Sequence, residues 1–484
     1  MKNKLKNAGI ALPLVALASA GVVQTAAAAT VDELDQRIRI LERQLELQKE
    51  DSETKAKDAS VVSASDKGFS FKNAKGDYEI KLGALIQADA RWYTSEVQPG
   101  AGPVDTFTFR RVEPTIQGSL GKLIGFRFTP AFGSGTSFDT TDIYADLKFH
   151  PAAWIRAGKF KEPVGLENLQ SSGALTFAER GLTINLVPNR DLGVQLAGDF
   201  AGGTTSYAIG VFNGSSDRAD APAADTNDSK EYAARIFSEP FKNSPGFLQG
   251  LGIGLAGTYA NDDFNPLNNA ATALGNGRSP GQLAIFAYEG AVAAAGAVPA
   301  LPAATASGEH SRIVPQAYWY RNNLSALAEY VINKQELTRG SNTSDLEHDA
   351  WQLQLGYVLT GEDASYKGVK PKTPFKTGEA GWGAFEIALR YGVLDFDDDA
   401  FLGASTVAAG GSAATTSLRL ANPTSQVSEA QAAGLALNWY LTSNAKLALN
   451  YEHTTFEGGG GGTAAAPLDR PDEDVVIGRV QLNF

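Results

Sequence analysis

Cysteine is absent from this chain of 484 residues, and Met1 is its only methionine. No disulfide, thiolate metal centre or thiol redox couple can therefore be built. Charge is sparse as well: 20 % of residues carry one, with 42 basic against 54 acidic side chains and a net charge of −12. Such a deficit of basic residues argues against nucleic acid as a partner, because phosphate neutralisation needs a basic footprint. Total charge says nothing, however, about the sign of an internal surface. Past the first thirty residues no apolar run approaches the ~20 residues of a spanning helix. What the chain has instead is glycine, 51 residues, with 9 % aromatics and many alanines. Length alone would suggest about three domains, but the pattern below runs unbroken and argues for one large body.

Residues 1–29 have the three parts of an export signal. Lys2, Lys4 and Lys6 form a basic start, 10–23 an apolar middle, and Ala27, Ala28 and Ala29 a small-residue cleavage site. The middle is too short for a membrane anchor and Pro13 interrupts it, so cleavage after Ala29 and export are expected. Loss of the three lysines takes the mature chain from −12 to −15. Residues 30–50 follow with Val31, Leu34, Ile38, Leu41 and Leu45 spaced 3, 4, 3, 4, the seam of a short coiled coil. Two to three heptads are too few to stand alone. An oligomerising helix and an amphipathic helix packed on its own chain both fit. Residues 51–77, polar and small, read as a linker.

From 78 to 484 the hydrophobic period is 2. Ile80, Leu82, Ala84, Ile86, Ala88, Ala90 and Trp92 share one face, while Lys81, Gln87, Asp89 and Arg91 share the other. Several such runs reach about 10 residues or more, the length a tilted strand needs to cross a bilayer. Sixteen strands are expected, beginning near residues 78, 108, 125, 142, 154, 192, 206, 231, 252, 312, 324, 348, 383, 426, 445 and 474. Their connections mostly alternate between short and long, with 239–251 and 362–382 as exceptions. That alternation is the mark of a transmembrane β-barrel with turns on one rim and loops on the other. An even count places both termini on the turn side. The last strand alternates to a terminal Phe484, with Val476, Gly478, Val480 and Leu482 on one face, the pattern of an assembly signal for outer-membrane barrels. The expected fold is thus all-β: a 16-stranded antiparallel barrel over 78–484, preceded by a short helix.

Several segments are similar to a known family. Trp154-Ile-Arg-Ala-Gly-Lys-Phe-Lys-Glu-Pro-Val-Gly-Leu-Glu167, Phe177-Ala-Glu-Arg180 and Arg190-Asp-Leu-Gly-Val194 resemble phosphate-selective porins O and P. So do 351–357, Leu359-Thr-Gly-Glu-Asp-Ala-Ser-Tyr-Lys-Gly-Val369, Gly381-Trp-Gly-Ala-Phe-Glu386 and Asn438-Trp-Tyr-Leu-Thr442. The resemblance covers about 70–484. It implies a trimeric sixteen-stranded outer-membrane channel for phosphate, polyphosphate or other anions, often with a short N-terminal helix. It also implies that 161–180 folds into the pore as a constriction loop, with Lys159, Lys161 and Arg180 as its basic residues against Glu162, Glu167 and Glu179. The extracellular lysine clusters of the phosphate-specific members have no counterpart here.

With the apolar face toward lipid, the inward phase carries Lys81, Arg91, Arg111, Arg127, Lys148, Arg156, Arg235, Arg390, Lys446 and Arg479. Against them stand Asp89, Glu113, Asp142, Asp146, Glu329, Glu386 and Glu452. Guanidinium groups can replace the hydration of a passing oxyanion, and weak sites in series allow it to leave again. Arg111, Arg127 and Arg156 are the best placed by motif. A competing reading is that inward Arg and Glu pair across the wall and merely fill a polar interior.

Other signals are weaker. His150, His310, His348 and His453 have no metal-ligand spacing, and 395–399, rich in Asp, is not an EF-hand loop. The glycines of 458–462 lack the Lys-Ser/Thr of a phosphate-cradling loop. Trp92, Trp154, Trp319, Trp382, Trp439 and Tyr440, near strand ends, read as an interfacial girdle, with a sugar-guiding slide as the alternative. The expected function is passive diffusion of small anions, with no catalysis, cofactor or metal. The expected partners are outer-membrane lipid, lipopolysaccharide, the barrel assembly machinery and two further copies of the chain. A general or sugar porin, a barrel hydrolase and a plugged adhesive barrel are the rivals.

Overall fold

The computed structural model describes residues 30–58, 60–65, 68–94, 104–133, 138–220, 228–261, 274–294, 299–408 and 411–484. The export signal and its cleavage site lie outside the described residues. The chain divides into two units, 1–59 and 60–484. In the first, a helix α1 spans Val31–Asp58, eight residues beyond the stretch whose seam is legible in the sequence. Its seam residues Val31, Leu34, Ile38, Leu41 and Leu45 are all exposed. Asp35 and Arg39, one turn apart, pair at 2.8 Å on its surface.

In the second unit, sixteen of the described strands form one antiparallel barrel. They are β1 (Tyr78–Tyr93), β2 (Thr106–Leu120), β3 (Ile124–Phe132), β4 (Phe138–His150), β5 (Ala153–Lys161) and β6 (Arg190–Phe200). Then come β7 (Thr205–Phe212), β8 (Glu231–Ser238), β9 (Leu251–Asn261), β10 (Thr305–Arg321) and β11 (Leu324–Arg339). The series ends with β12 (Asn342–Val358), β13 (Ala384–Asp395), β14 (Val427–Tyr440), β15 (Ala445–Thr463) and β16 (Glu473–Asn483). Each pairs with the next, and β16 returns to β1, running from Val475↔Tyr93 to Asn483↔Leu85. Closure removes both sheet edges, which is what lets a sheet sit in hydrocarbon. The outward phase is an apolar belt: Ile209, Leu355, Leu389, Leu437 and Leu449 are all exposed.

Two details depart from the sequence reading. Residues 51–77 are not a plain linker, because Val61–Ser65 and Gly68–Lys72 form a hairpin whose second strand pairs with the start of β1. β10 and β12 begin six or seven residues earlier than the hydrophobic pattern suggests, because their first turns are polar. As a result β11 and β12 are joined by only two residues, 340–341, on the loop rim. Gly340 there sits at φ 66, the left-handed conformation such a tight turn requires.

The core lies inside the barrel, to one side. Segments 162–189, 274–294, 396–408 and 411–426 contribute buried side chains that pack with Phe160, Phe212, Ala233 and residues of β9–β15. Phe286 stacks on Phe396 at 3.8 Å, and Val164, Leu186, Ile285 and Leu420 are fully buried with them. The long connection on the turn rim, 359–383, also turns inward. Its Tyr366 stacks on Tyr318 and donates to the Leu166 carbonyl at 2.5 Å. This side of the lumen is thus packed, and two open chambers remain, lined largely from β2–β8.

Candidate functional site

Loop 162–189 is the element that shapes the channel. It leaves β5 through Pro163 and Gly165, the latter at φ 78, makes a single helical turn at Leu166–Leu169 and a 3₁₀ turn at Leu182–Leu186. An irregular loop buried in a barrel brings unpaired carbonyls and amides with it, and these must find partners. The wall supplies them. Asn438 donates to Thr176 O at 2.8 Å, Lys446 to Leu175 O at 2.7 Å, Arg390 to Glu179 O at 2.9 Å, and Arg479 to Ala178 O. Glu329 accepts from the Leu166 amide at 2.6 Å and the Thr183 hydroxyl at 2.9 Å.

This corrects the expectation for four of the wall cations. Arg91, Arg390, Lys446 and Arg479 share the inward phase but are each 5 % exposed or less, covered by the loop. Arg479 is bidentate to Asp89, Arg390 pairs with Glu452 and Glu167, and Arg91 pairs with Asp89 and Glu179. They anchor the loop, and none of the four borders either of the two open chambers. Lys159 is a further correction: it lies across the sheet from Ile143 and Leu192, the outward phase, with Asp139 4.0 Å away. Lys148 is exposed at the turn rim.

Lys81 is half-buried and pairs with Glu79 at 3.5 Å, and the other expected cations line the two chambers. One, of about 500 Å³ toward the loop rim, is bordered by Arg110, Arg111, Glu113, Asp139, Glu179, Arg180, Arg190, Arg218 and Asp220. The other, of about 550 Å³ toward the turn rim, is bordered by Arg127, Asp142, Arg156, Lys161, Arg190 and Arg235 among others. Glu113 and Arg190 border both, so the two meet at these side chains. Together nine cations and five acidic side chains line the chambers in a chain whose net charge is −12.

Three of these cations were not singled out in the sequence. Arg110 appears on the outward phase under strict alternation. A β-bulge in β2 shifts the register between Gln87↔Arg111 and Ala88↔Phe109, and both adjacent arginines face the lumen. The signal was present: the apolar phase runs Phe107, Phe109 and then Val112, Pro114, Ile116, a slip of one residue. Arg190 is the first residue of β6 and bonds Asp142 at 2.9 Å. Arg218 reaches the chamber from a loop at φ 66, with no sequence signal.

Glu179 organises the upper chamber. Its carboxylate receives Arg110 at 2.6 and 3.1 Å, Arg91 at 2.5 Å and Arg479 at 3.3 Å. Burial alone would raise its pKa, but Arg110, Arg479 and Arg91 outweigh burial and hold it well below the usual carboxylate range. Arg180 has its pKa lowered by burial, with Glu167 acting the other way. Burial and the Arg278 and Arg110 charges bring Arg218 down to about 10. Glu162 behaves oppositely. Buried, and beside Glu231, its pKa is pushed well above the usual carboxylate range, although Arg312 opposes this.

In the lower chamber Arg127 is the most open cation, with its side chain 34 % exposed and Asp142 at 3.4 Å. Arg156 is bidentate to Asp146 at 2.8 and 3.1 Å. Lys161 donates to Asn168 O and to Gln170 O at 3.1 Å, and Arg235 to Gln316 at 3.1 Å. Neither Lys161 nor Arg235 has an ion-pair partner among the described residues. Trp154 and Tyr440, grouped with the girdle by sequence, point inward instead. Trp154 lies opposite Lys148 and Ala197 and borders the lower chamber, and the Tyr440 hydroxyl bonds Glu386. Trp92, Trp319 and Trp439 keep outward positions. His453 faces outward and pairs with Asp474 at 2.8 Å. At the chain end, Phe484 bonds Ala84 through both backbone groups, at 2.9 and 3.1 Å, and its ring meets Phe69 edge-on.

The fold is shared with solved outer-membrane proteins. The outer membrane channel DcaP of Acinetobacter baumannii superposes with a TM-score of 0.50 at 12 % identity, over 86 % of this chain and 99 % of that one. A loop L8 deletion mutant of OmpT from Vibrio cholerae gives 0.47 at 10 % identity, over 83 % and 98 %. An anion-selective porin from Comamonas acidovorans gives 0.42 at 11 %, over 84 % and 99 %. No curated protein matches the sequence. The family described as phosphate-selective porin O and P matches residues 80–484, nearly the whole barrel, and the barrel is closed, apolar outside and cationic within. The chain belongs to the phosphate-selective porin O and P family and is an outer-membrane channel.

Proposed function

We propose that the channel passes small anions by passive diffusion, catalyses nothing, and works as a homotrimer. The observation that carries the anion reading is the lining of the two chambers. An acidic chain concentrates nine cations against five acids along the open side of its lumen. A water-filled lumen with that lining favours anions and opposes cations. Arg110, Arg111 and Arg180 border the upper chamber, Arg190 both and Arg127 the lower, and they offer several weak sites in place of one tight one. The family's name points to phosphate as one such anion. On this reading the loop rim faces the exterior and the turn rim the periplasm. Residues 1–29 are removed on export, and α1 stands in the periplasm with its exposed seam available to neighbouring copies. Phe484 and the alternating β16 serve recognition by the assembly machinery.

The test is the reversal potential of the purified protein in a planar bilayer under a KCl gradient, repeated with phosphate. A reversal near the chloride equilibrium potential supports the reading. A reversal near that of potassium, or at zero, overturns it and leaves a general porin.

A further inference from the structure

The lining of the lower chamber carries an inference about which anions use the channel. The inward phase of a water-filled barrel is ordinarily polar. Here Tyr144 on β4 and Trp154 and Phe160 on β5 all occupy it. The Arg156 guanidinium lies among them, 3.7 Å from the centre of the Tyr144 ring, 5.1 Å from Trp154 and 5.5 Å from Phe160. Its fork is already occupied by Asp146, so the patch is a nearly neutral aromatic cluster, in which the buried Phe160 meets Tyr144 edge-on. The same chamber presents Arg127, half-exposed, and Lys161 and Arg235, which have no ion-pair partners among the described residues. Leu85 and Leu169 add apolar surface to its lining.

From this pairing of an aromatic patch with cations, two of them outside any ion pair among the described residues, we infer that the lower chamber is a subsite for small aromatic carboxylates. This rests on the anion reading above. A hydrated inorganic anion gains from the cations and nothing from the rings. A benzoate-like ion uses both: its carboxylate meets Arg127, Lys161 or Arg235, and its ring packs on Trp154. The chamber volume, about 550 Å³, falls within the ~300–1,000 Å³ typical of small-molecule sites. The subsite slows the ion enough to be occupied, and its open side lets the ion leave.

The experiment is block of chloride current in planar bilayers by benzoate, acetate and cyclohexanecarboxylate, each titrated on the full-length mature protein. Benzoate is expected to reach half-block at a concentration about three- to tenfold below acetate, with cyclohexanecarboxylate between them. In Trp154→Ala the benzoate-to-acetate ratio falls to about one; Trp154→Leu gives the same answer should the alanine variant not assemble. Trp382→Ala, on the exposed turn-rim loop, keeps the ratio. Equal block by benzoate and acetate in an anion-selective channel overturns the inference and leaves the anion reading standing. So does a ratio that survives both Trp154 substitutions. A cation-selective reversal potential overturns both.

Discussion

Arg190 is the cation at which the two chambers meet, and its removal is the sharpest test of the charge argument. In Arg190→Gln, Asp142 loses its partner at 2.9 Å and keeps Arg127 at 3.4 Å. The open path then carries eight cations against five acids, and the loss falls where the lumen is shared. A unit charge about 5 Å from a passing ion is worth about 0.8 kcal/mol at the dielectric constant of water, and about 3 kcal/mol at an effective constant of 20. A wet lumen sits near the lower figure, which is about a fourfold loss of chloride occupancy. Potassium gains by a similar factor, so the chloride-to-potassium permeability ratio should fall about fifteenfold. The assay is the reversal potential between 0.1 and 0.01 M KCl, where the screening length is about 10–30 Å; near 1 M, where it is about 3 Å, the shift should shrink. Arg390→Gln is the comparison. Arg390 has the same inward phase and the same charge, but its side chain is 2 % exposed and bound to Glu452, Glu167 and the loop backbone. Its loss should shift selectivity far less than that of Arg190. Equal shifts from the two, or none from Arg190, would refute the assignment of the open path to the β2–β8 side.

Three further outcomes are expected. Glu179→Gln leaves the guanidinium groups of Arg91 and Arg479 buried without one of their partners, at a cost of about 3–5 kcal/mol, read as a lower midpoint in heat-induced unfolding on SDS gels. Because the folded Glu179 has its pKa depressed, its contribution is present above the usual carboxylate pKa and is lost as pH falls through the lower folded value; the variant should lose that acid sensitivity. Glu162 has the opposite sign: its folded pKa is raised, so its contribution is present at low pH and is lost as pH rises through the carboxylate range and beyond. Glu162→Gln should therefore raise the unfolding midpoint at pH 9 relative to the unaltered protein and change it little at pH 4, by circular dichroism in detergent. In Gly83→Ala the new Cβ would lie 2.4 Å from the Phe484 carbonyl oxygen. The two backbone bonds between Phe484 and Ala84 would be lost at about 1 kcal/mol each. A smaller heat-modifiable, folded fraction in outer membranes is the expected readout, and an unchanged fraction would contradict it.

The sheet was legible because its rule is local. Side chains alternate along any strand, so Ile80 to Trp92 against Lys81 to Arg91 settles which residues face lipid without knowledge of any neighbour. The strand count, the closing role of β16 and the inward phase of Arg111, Arg127, Arg156 and Arg235 all follow from that period. The bulge at Arg110 was also written there, as the slip from Phe109 to Val112, but a strict period of 2 conceals it. Helix α1 was legible through its heptads, whereas its continuation to Asp58 was not, because that polar stretch carries no seam.

Tertiary structure decided which inward residues meet water. Arg390 and Arg127 are equivalent in phase, yet one is buried under loop 162–189 and the other is open. That difference depends on where a loop of irregular backbone finds partners for its carbonyls, and those partners come from strands more than 200 residues away in sequence, such as Asn438, Lys446 and Arg479. Trp154 needs no tertiary reason by contrast: it shares the face of Arg156, two residues on, and Lys159 falls on the opposite face, as period 2 dictates. Periodicity is set by the geometry of one strand, whereas accessibility inside a barrel is set by whatever else folds into it.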